Sequence, residues 1–172
     1  MASATTIKLV LSNEVRLVDA VHAAAETMAG IAGFEEDDAL NVGIAVREAV
    51  INAIVHGNRM DPSRKVEVGL FARPRGIRAR VRDQGPGFDV AATPDPTSDD
   101  NLMRTSGRGI LVMRAFMDSV DFNFREGRGM EVTLKKSRTG RRKARTHAQT
   151  HDQTTSSKPA AAAAADNGGS ER

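Results

Sequence analysis

No cysteine occurs in the 172 residues, which rules out disulfides and thiolate-held metals. Tryptophan and tyrosine are absent as well, and aromatics make up 3% of the chain, so the stacking platforms that single-stranded nucleic acids favour are scarce. There is no Gly-x-x-x-x-Gly-Lys-Ser/Thr, which excludes a P-loop, and no Gly-x-Gly-x-x-Gly after a strand, which leaves a Rossmann dinucleotide site unsupported. No stretch approaches the length needed to span a bilayer. Residues 1–10 lack a basic segment followed by an apolar run, so no signal peptide is expected and a cytoplasmic protein is the default.

What is present reads as one domain with a tail. Hydrophobic residues at 40% and charged residues at 27% fit a soluble globular chain large enough for a two-layer core. The net charge of +3 is unevenly placed: from Ser137 onward seven basic residues face three acids, 7 − 3 = +4, leaving 3 − 4 = −1 for the rest. A direct nucleic-acid reading therefore rests on the tail alone. We place a folded domain at residues 1–136 and a disordered tail at 137–172, rich in Arg, Thr, Gln, Ser and Gly. Its alanine run, Ala160 to Ala165, is too short to hold a helix by itself.

Within the domain, Ile7, Leu9 and Leu11 alternate as a short strand. Ser12 or Asn13 is expected to cap a helix with Val15, Val18, Val21 or His22, Ala25 and Met28 on its apolar face, ended by Gly30 and Gly33. His22 has no ligand-type neighbours and reads as structural. Glu35, Glu36, Asp37 and Asp38 open a central helix, where negative charge suits the helix dipole. On it, Leu40, Ile44, Ile51 and Val55 predict the apolar stripe, with Glu48 and Asn52 stacked at the margin and Gly57 releasing the chain. Val66 to Leu70 and Ile77 to Val81 predict a hairpin, apolar on one face and basic on the other, as in an antiparallel sheet covered on one side. Residues 89–106 have no period and read as a mobile loop. Gly107-Arg108-Gly109 starts another helix through Met117, and strands at Val120 to Phe124 and Met130 to Leu134 close the domain.

Three stretches carry chemistry. Asp83-x-Gly85-x-Gly87 lets a planar ligand approach the backbone while Asp83 accepts a hydrogen bond, an arrangement that suits the amino group of adenine and disfavours guanine. Gly107-Arg108-Gly109 at a helix start offers backbone N–H groups and a forked cation to phosphate. Asn52 offers a neutral oxygen to Mg²⁺, and Glu48 could take a proton from an incoming hydroxyl. Taken singly, the same patterns fit a solvated helix face, a strand-ending turn and a glycine-rich loop end.

Together and in this order, they resemble the N, G1 and G2 boxes of the GHKL ATPase superfamily. Glu-Ala-Val-x-Asn-Ala-x-x-His-Gly (Glu48 to Gly57), Arg-Asp-x-Gly-Pro-Gly-Phe-Asp and Gly-Arg-Gly-Ile-x-x-Met-Arg are most similar to the anti-sigma factor serine/threonine kinases, the RsbW-like group. The resemblance spans about residues 7–136, and no box residue is missing. It implies an α+β Bergerat fold, a two-layer sandwich of helices on a mixed, mostly antiparallel sheet, with ATP bound beneath a lid at residues 89–106. It further implies Glu48 as base, Arg108 near the γ-phosphate, Asn52 on Mg²⁺, and Asp83 on adenine. His56, Gly85, Gly87, Gly107 and Gly109 complete the nucleotide site, with Thr133 supporting the adenine pocket. The implied protein is a homodimer that binds a sigma factor and phosphorylates a STAS-type antagonist on serine or threonine.

Two other readings compete. A binding module would hold ATP and its partner with little phosphotransfer; the presence of Glu48 favours the enzyme. A histidine-kinase catalytic domain would need a phosphoacceptor helix, and the chain before Glu35 has room for one strand and one helix only, while His147 and His151 sit in the tail.

Overall fold

In the computed structural model the described residues are 4–86, 108–125, 127 and 129–138. The chain divides into two units, Met1–Arg141 and Arg142–Arg172, and the second lies outside the described residues, as do the whole loop expected at 89–106 and the glycines Gly87 and Gly107. Five strands form one sheet in the order β1-β2-β3-β5-β4: β1 is Thr5–Ser12, β2 Lys65–Arg73, β3 Gly76–Arg82, β4 Ser119–Arg125 and β5 Gly129–Ser137. Every pairing among the described residues is antiparallel, in keeping with the mostly antiparallel sheet expected, and none of them is the parallel pair that a mixed sheet would add. The topology explains this: the chain passes from β3 through a helix to the edge strand β4, and the β4–β5 hairpin then returns β5 antiparallel against β3.

Among the described residues three helices cover one face: α1 (Val18–Ile31), α2 (Glu36–Asn52) and α3 (Arg108–Phe116). Ahead of α1, Val15–Leu17 forms a 3₁₀ turn, and neither Ser12 nor Asn13 caps the helix; Leu17 stands at the N-cap without a side-chain bond. Ser12 bonds Glu14, and Asn13 is buried elsewhere. The face of α1 is otherwise as its spacing predicts, with Val18, Val21, Ala25 and Met28 buried and Val15 exposed. Gly33, at φ +84°, ends it in the left-handed conformation that glycine adopts without cost. His22 lies against Gly43 of α2 and 3.4 Å from Glu26, a packing position.

The buried face of α2 is not the stripe the sequence predicts. Val42, Val46, Ala49, Val50, Ala53 and Ile54 enter the core, whereas Leu40 is 42% exposed and Ile44, Ile51 and Val55 are partly buried. The helix is apolar around most of its circumference, so periodicity alone selects no face. The small residues Gly43, Ala45 and Ala49 settle it, because their side lets α1 and the sheet come close. The same apolarity overturns a second expectation. Glu36–Gly57, 22 residues containing an 18-residue window of mean hydropathy 1.3, is long and apolar enough to cross a membrane by length and composition. Its burial against α1, α3 and the sheet makes it the core helix of the fold.

No described residue covers the opposite face of the sheet. Lys8, Glu67, Phe71, Arg78, Arg80, Arg82, Thr133 and Lys135 occupy it in alternation with core residues such as Leu70, Ala79, Val81 and Leu134. Gly69 sits in the middle of β2 because the Phe71 ring lies back over it; a Cβ there would press on the ring.

Candidate functional site

The end of α2 holds the site. After Asn52 the helix widens into a π-turn, Ala53–Gly57, closed by Asn58 N–H donating to the Ala53 carbonyl at 2.7 Å. Such turns concentrate at functional sites. The chain then leaves through Arg59 and Met60, both left-handed at φ 55° and 59°. Non-glycine residues hold this conformation at roughly 1–2 kcal/mol each. Gly57, expected to release the chain by its flexibility, has another purpose. A Cβ on it would overlap the Asp83 carboxylate.

Asp83 follows β3 and continues its inward alternation, 3% exposed. Its N–H donates to the Met130 carbonyl at 3.0 Å, and its Oδ1 accepts from Gly85 N–H at 2.8 Å and Met130 N–H at 3.1 Å. Glycines wall the carboxylate: a Cβ on Gly85 would overlap the Gly57 carbonyl, and one on Gly129 would meet Asp83 itself. Gly85 thus serves the packing of the turn against Gly57, where the sequence suggested access for a ligand. Burial pushes the Asp83 carboxyl above the ordinary aspartate range, opposed by the N–H groups of Met130 and Gly85 and by the charge of Arg64.

A residue that no sequence pattern singles out fixes this socket in place. Asn58 is fully buried. Its Nδ2 donates to Asn13 Oδ1 at 3.2 Å and to the Lys65 carbonyl at 3.0 Å, while its Oδ1 accepts from Gln84 N–H at 2.8 Å. Gln84 returns a bond through its own Oε1, which accepts from Lys65 N–H at 2.7 Å. One carboxamide therefore ties the end of α2 to β1, β2 and the Asp83 turn. The only advance signal was a carboxamide directly after a helix-ending His-Gly.

Glu48 and Asn52 lie one turn apart on α2 and face the start of α3. A Cβ on Gly109 would stand 3.0 Å from Glu48 Oε2 and 3.3–3.4 Å from the Asn52 amide atoms. The missing side chain at Gly109 is what lets the helix start approach both groups. Arg47 lies 3.4 Å from Glu48 Oε1 and 3.6 Å from Asp19. Glu48 remains 24% exposed, so its second oxygen meets the seam between the two helices from a partly wet position. No cluster of three or more His, Cys, Asp or Glu forms among the described residues. A hard cation here would rest on the oxygen of Asn52 and on substrate phosphates, the ligand type that Mg²⁺ takes.

Of the residues predicted from the sequence, the structure brings Glu48, Asn52 and Gly109 together in the seam and Asp83 and Gly85 together in the socket. Arg108 is the exposed first residue of α3, and His56 is exposed on the π-turn. Gly87 and Gly107 fall outside the described residues. Thr133 is a correction. It pairs with Arg80 on β3 and Asp121 on β4, so it belongs to the open face of the sheet, opposite to Asp83. The β5 residue beside Asp83 is Met130, 2% exposed.

Residues 11–136 match the histidine kinase-like ATPase domain family. The chain is 35% identical over 104 residues to an anti-sigma F factor of Geobacillus stearothermophilus, covering 59% of the chain and 70% of that relative. An anti-sigma F factor of Clostridium perfringens (strain SM101 / Type A) is 35% identical over 103 residues, 58% of the chain and 73% of the relative. Among solved structures, the RsbU and RsbW domains of a Mycobacterium tuberculosis protein share the fold, with a TM-score of 0.51 at 20% identity. That match covers 77% of this chain, which spans about a third (31%) of the larger one.

Proposed function

Because the chain belongs to the histidine kinase-like ATPase family, in its RsbW-like branch, we propose that it is an ATP-dependent protein serine/threonine kinase and anti-sigma factor. It binds a sigma factor and phosphorylates an antagonist protein of STAS type, acting as a cytoplasmic homodimer in a partner switch. The observation that carries the enzymatic part is the seam where Glu48 and Asn52 meet Gly109 at the start of α3.

The chemistry follows from the placement. Asp83 accepts the exocyclic amino group of adenine from within its glycine walls, which orients the base. The phosphates then extend towards the seam, where the N–H groups that open α3 and the Arg108 guanidinium favour negative charge. Asn52 would hold Mg²⁺, which when bound neutralises phosphate charge. A serine or threonine hydroxyl of the antagonist attacks the γ-phosphorus, the bond from that phosphorus to the bridging oxygen breaks, and ADP leaves. Glu48 takes the hydroxyl proton. Its partial exposure leaves room for that hydroxyl to arrive from solvent.

The test is transfer from labelled ATP to the cognate antagonist. Glu48→Gln keeps the side-chain shape and removes the base, so transfer falls by about 10²- to 10⁴-fold while ATP binding through Asp83 survives. Parental transfer by the variant would remove Glu48 from catalysis. If the parent itself fails to phosphorylate an antagonist that it binds, the protein is the sequestering module instead.

A further inference from the structure

The open face of the sheet carries a feature that nucleotide chemistry does not use. At its β2–β3 hairpin end lies a groove of about 360 Å³, lined by Phe71, Arg73, Arg75, Arg78 and Lys135 among others. The register builds it. Phe71 of β2 stands opposite Arg78 of β3, which stands opposite Lys135 of β5, so an aromatic ring and two cations share one row across three strands. The Arg78 guanidinium lies 4.6 Å from the centre of the Phe71 ring and that of Arg80 lies 5.8 Å from it, a stacking that holds the ring as a floor with cations around it.

Charge pairing on this face is lopsided. Two rows away from the groove, Arg82 bonds Glu131 and lies 3.8 Å from Glu67, and Arg80 also leans on Glu131. Those cations are matched. In the groove, Lys135 meets Asp121 at 3.1 Å with both side chains more than half exposed, a pair that solvent makes weak. Among the described residues no carboxylate pairs with Arg73, Arg75 or Arg78, and none lines the groove. A second row, Lys8–Gly69–Arg80–Thr133, holds the exposed Lys8 besides the matched Arg80.

We propose that this groove is a docking site for an acidic segment of a protein partner. Carboxylates of such a segment would take the forked donors of Arg73, Arg75 and Arg78, and an apolar side chain would lie on Phe71 and the arginine stems. A nucleic-acid backbone fits less well, because Glu67, Glu131 and Asp121 interrupt the cationic row on either side of a short patch. A second copy of the chain would bring the same excess of cations to the same face. The proposal is independent of the kinase reading, since the groove is on the opposite side of the sheet from Asp83.

The absence of tryptophan makes the test direct. Phe71→Trp places a lone fluorophore on the groove floor in the full chain, with the basic tail unchanged. An oligo-glutamate peptide is expected to change the indole emission saturably, with an affinity that drops as salt is raised. Adding Arg73→Glu and Arg75→Glu should weaken that affinity by about tenfold or more and leave ATP binding and thermal melting unaltered. No emission change, or an affinity indifferent to charge reversal, overturns the proposal. So does an oligothymidylate that binds as tightly through the same arginines, which would make the groove a nucleic-acid contact. Self-association in sedimentation that charge reversal abolishes would assign the face to a second copy instead. If Phe71→Trp fails to fold, calorimetry of the peptide with the parent and with the charge-reversed chain reads the same difference.

Discussion

The two ends of the candidate nucleotide site are made by different means. At the Asp83 end the walls are backbone: Gly57, Gly85 and Gly129 press on the carboxylate or on each other, and two N–H groups fix one oxygen. At the Glu48 end the walls are side chains of α2 meeting a single glycine of α3, partly open to water. The first is a socket whose shape exists before any ligand arrives. The second is a seam whose contents are chosen by what enters it. On the proposed reading, recognition of the base falls to the rigid end, and the reactive end is the one that leaves room for a hydroxyl from another molecule.

One substitution placed at both ends breaks or confirms this contrast most sharply. Gly57→Ala forces a methyl into the Asp83 carboxylate and costs about 1–3 kcal/mol of stability, the range for overpacking. Gly109→Ala meets only the ends of Glu48 and Asn52, and near the start of α3 the change also gains helix propensity, up to about 1 kcal/mol. Denaturant titrations should therefore show a clear loss for Gly57→Ala and little change for Gly109→Ala. Equal losses would mean that the seam is as rigid as the socket.

Asp83→Asn probes the socket without disturbing its volume. It turns an acceptor oxygen into a donor facing the adenine amino group, and ATP affinity by calorimetry should fall by about 1–3 kcal/mol. In the parent, GTP should bind poorly. Equal ATP and GTP affinities would show that the socket does not read the base.

The smallest expected effect is a pH dependence. Burial raises the folded-state pKa of Asp83. As pH falls through that raised value the carboxylate gains a proton and loses its acceptor character, so ATP binding weakens at a higher pH than an ordinary aspartate would cause. Stability runs the other way. A carboxyl with a raised folded pKa contributes stability that is fully present below its unfolded value of 3.8 and is lost as pH rises through the folded one. Calorimetric ATP titrations over pH, with Asp83→Asn as the reference that subtracts titration of the nucleotide itself, should isolate the difference. Superimposable curves for the two proteins would show that Asp83 does not titrate in that window.

How much of this was legible beforehand depends on which physical rule decides each feature. The hairpin at Val66 to Val81 was plain, because alternation of apolar and basic residues specifies both strand and face. The pairing of Glu48 with Asn52 was plain for the same reason at helical spacing. The buried face of α2 was not, since Leu40 and Ile44 on one side and Val42 and Val46 on the other give periodicity no preference. The π-turn was hidden too, because nothing in Ala53–Gly57 announces a change of helical pitch. Thr133 was misplaced although alternation was available: Val132 and Leu134 flank it and point to the core, so period two sends it to the open face. Asn58 escaped because its partners Asn13 and Gln84 are distant in sequence, and a hydrogen bond of that kind has no local signature.

That last distance has a kinetic meaning. Asn58 joins residues 45 and 26 positions away, and Asp83 is held by a residue 47 positions downstream. Each of these bonds closes a long loop, whose entropy is lost before the contact returns anything. The Asp83 end is therefore assembled only when β1, β2, β3, β5 and the end of α2 have all found their places. A refolding chain that has formed its helices but not its sheet lacks the Asp83 socket, so, on the proposed role of Asp83, the first appearance of nucleotide binding during refolding times the completion of the sheet.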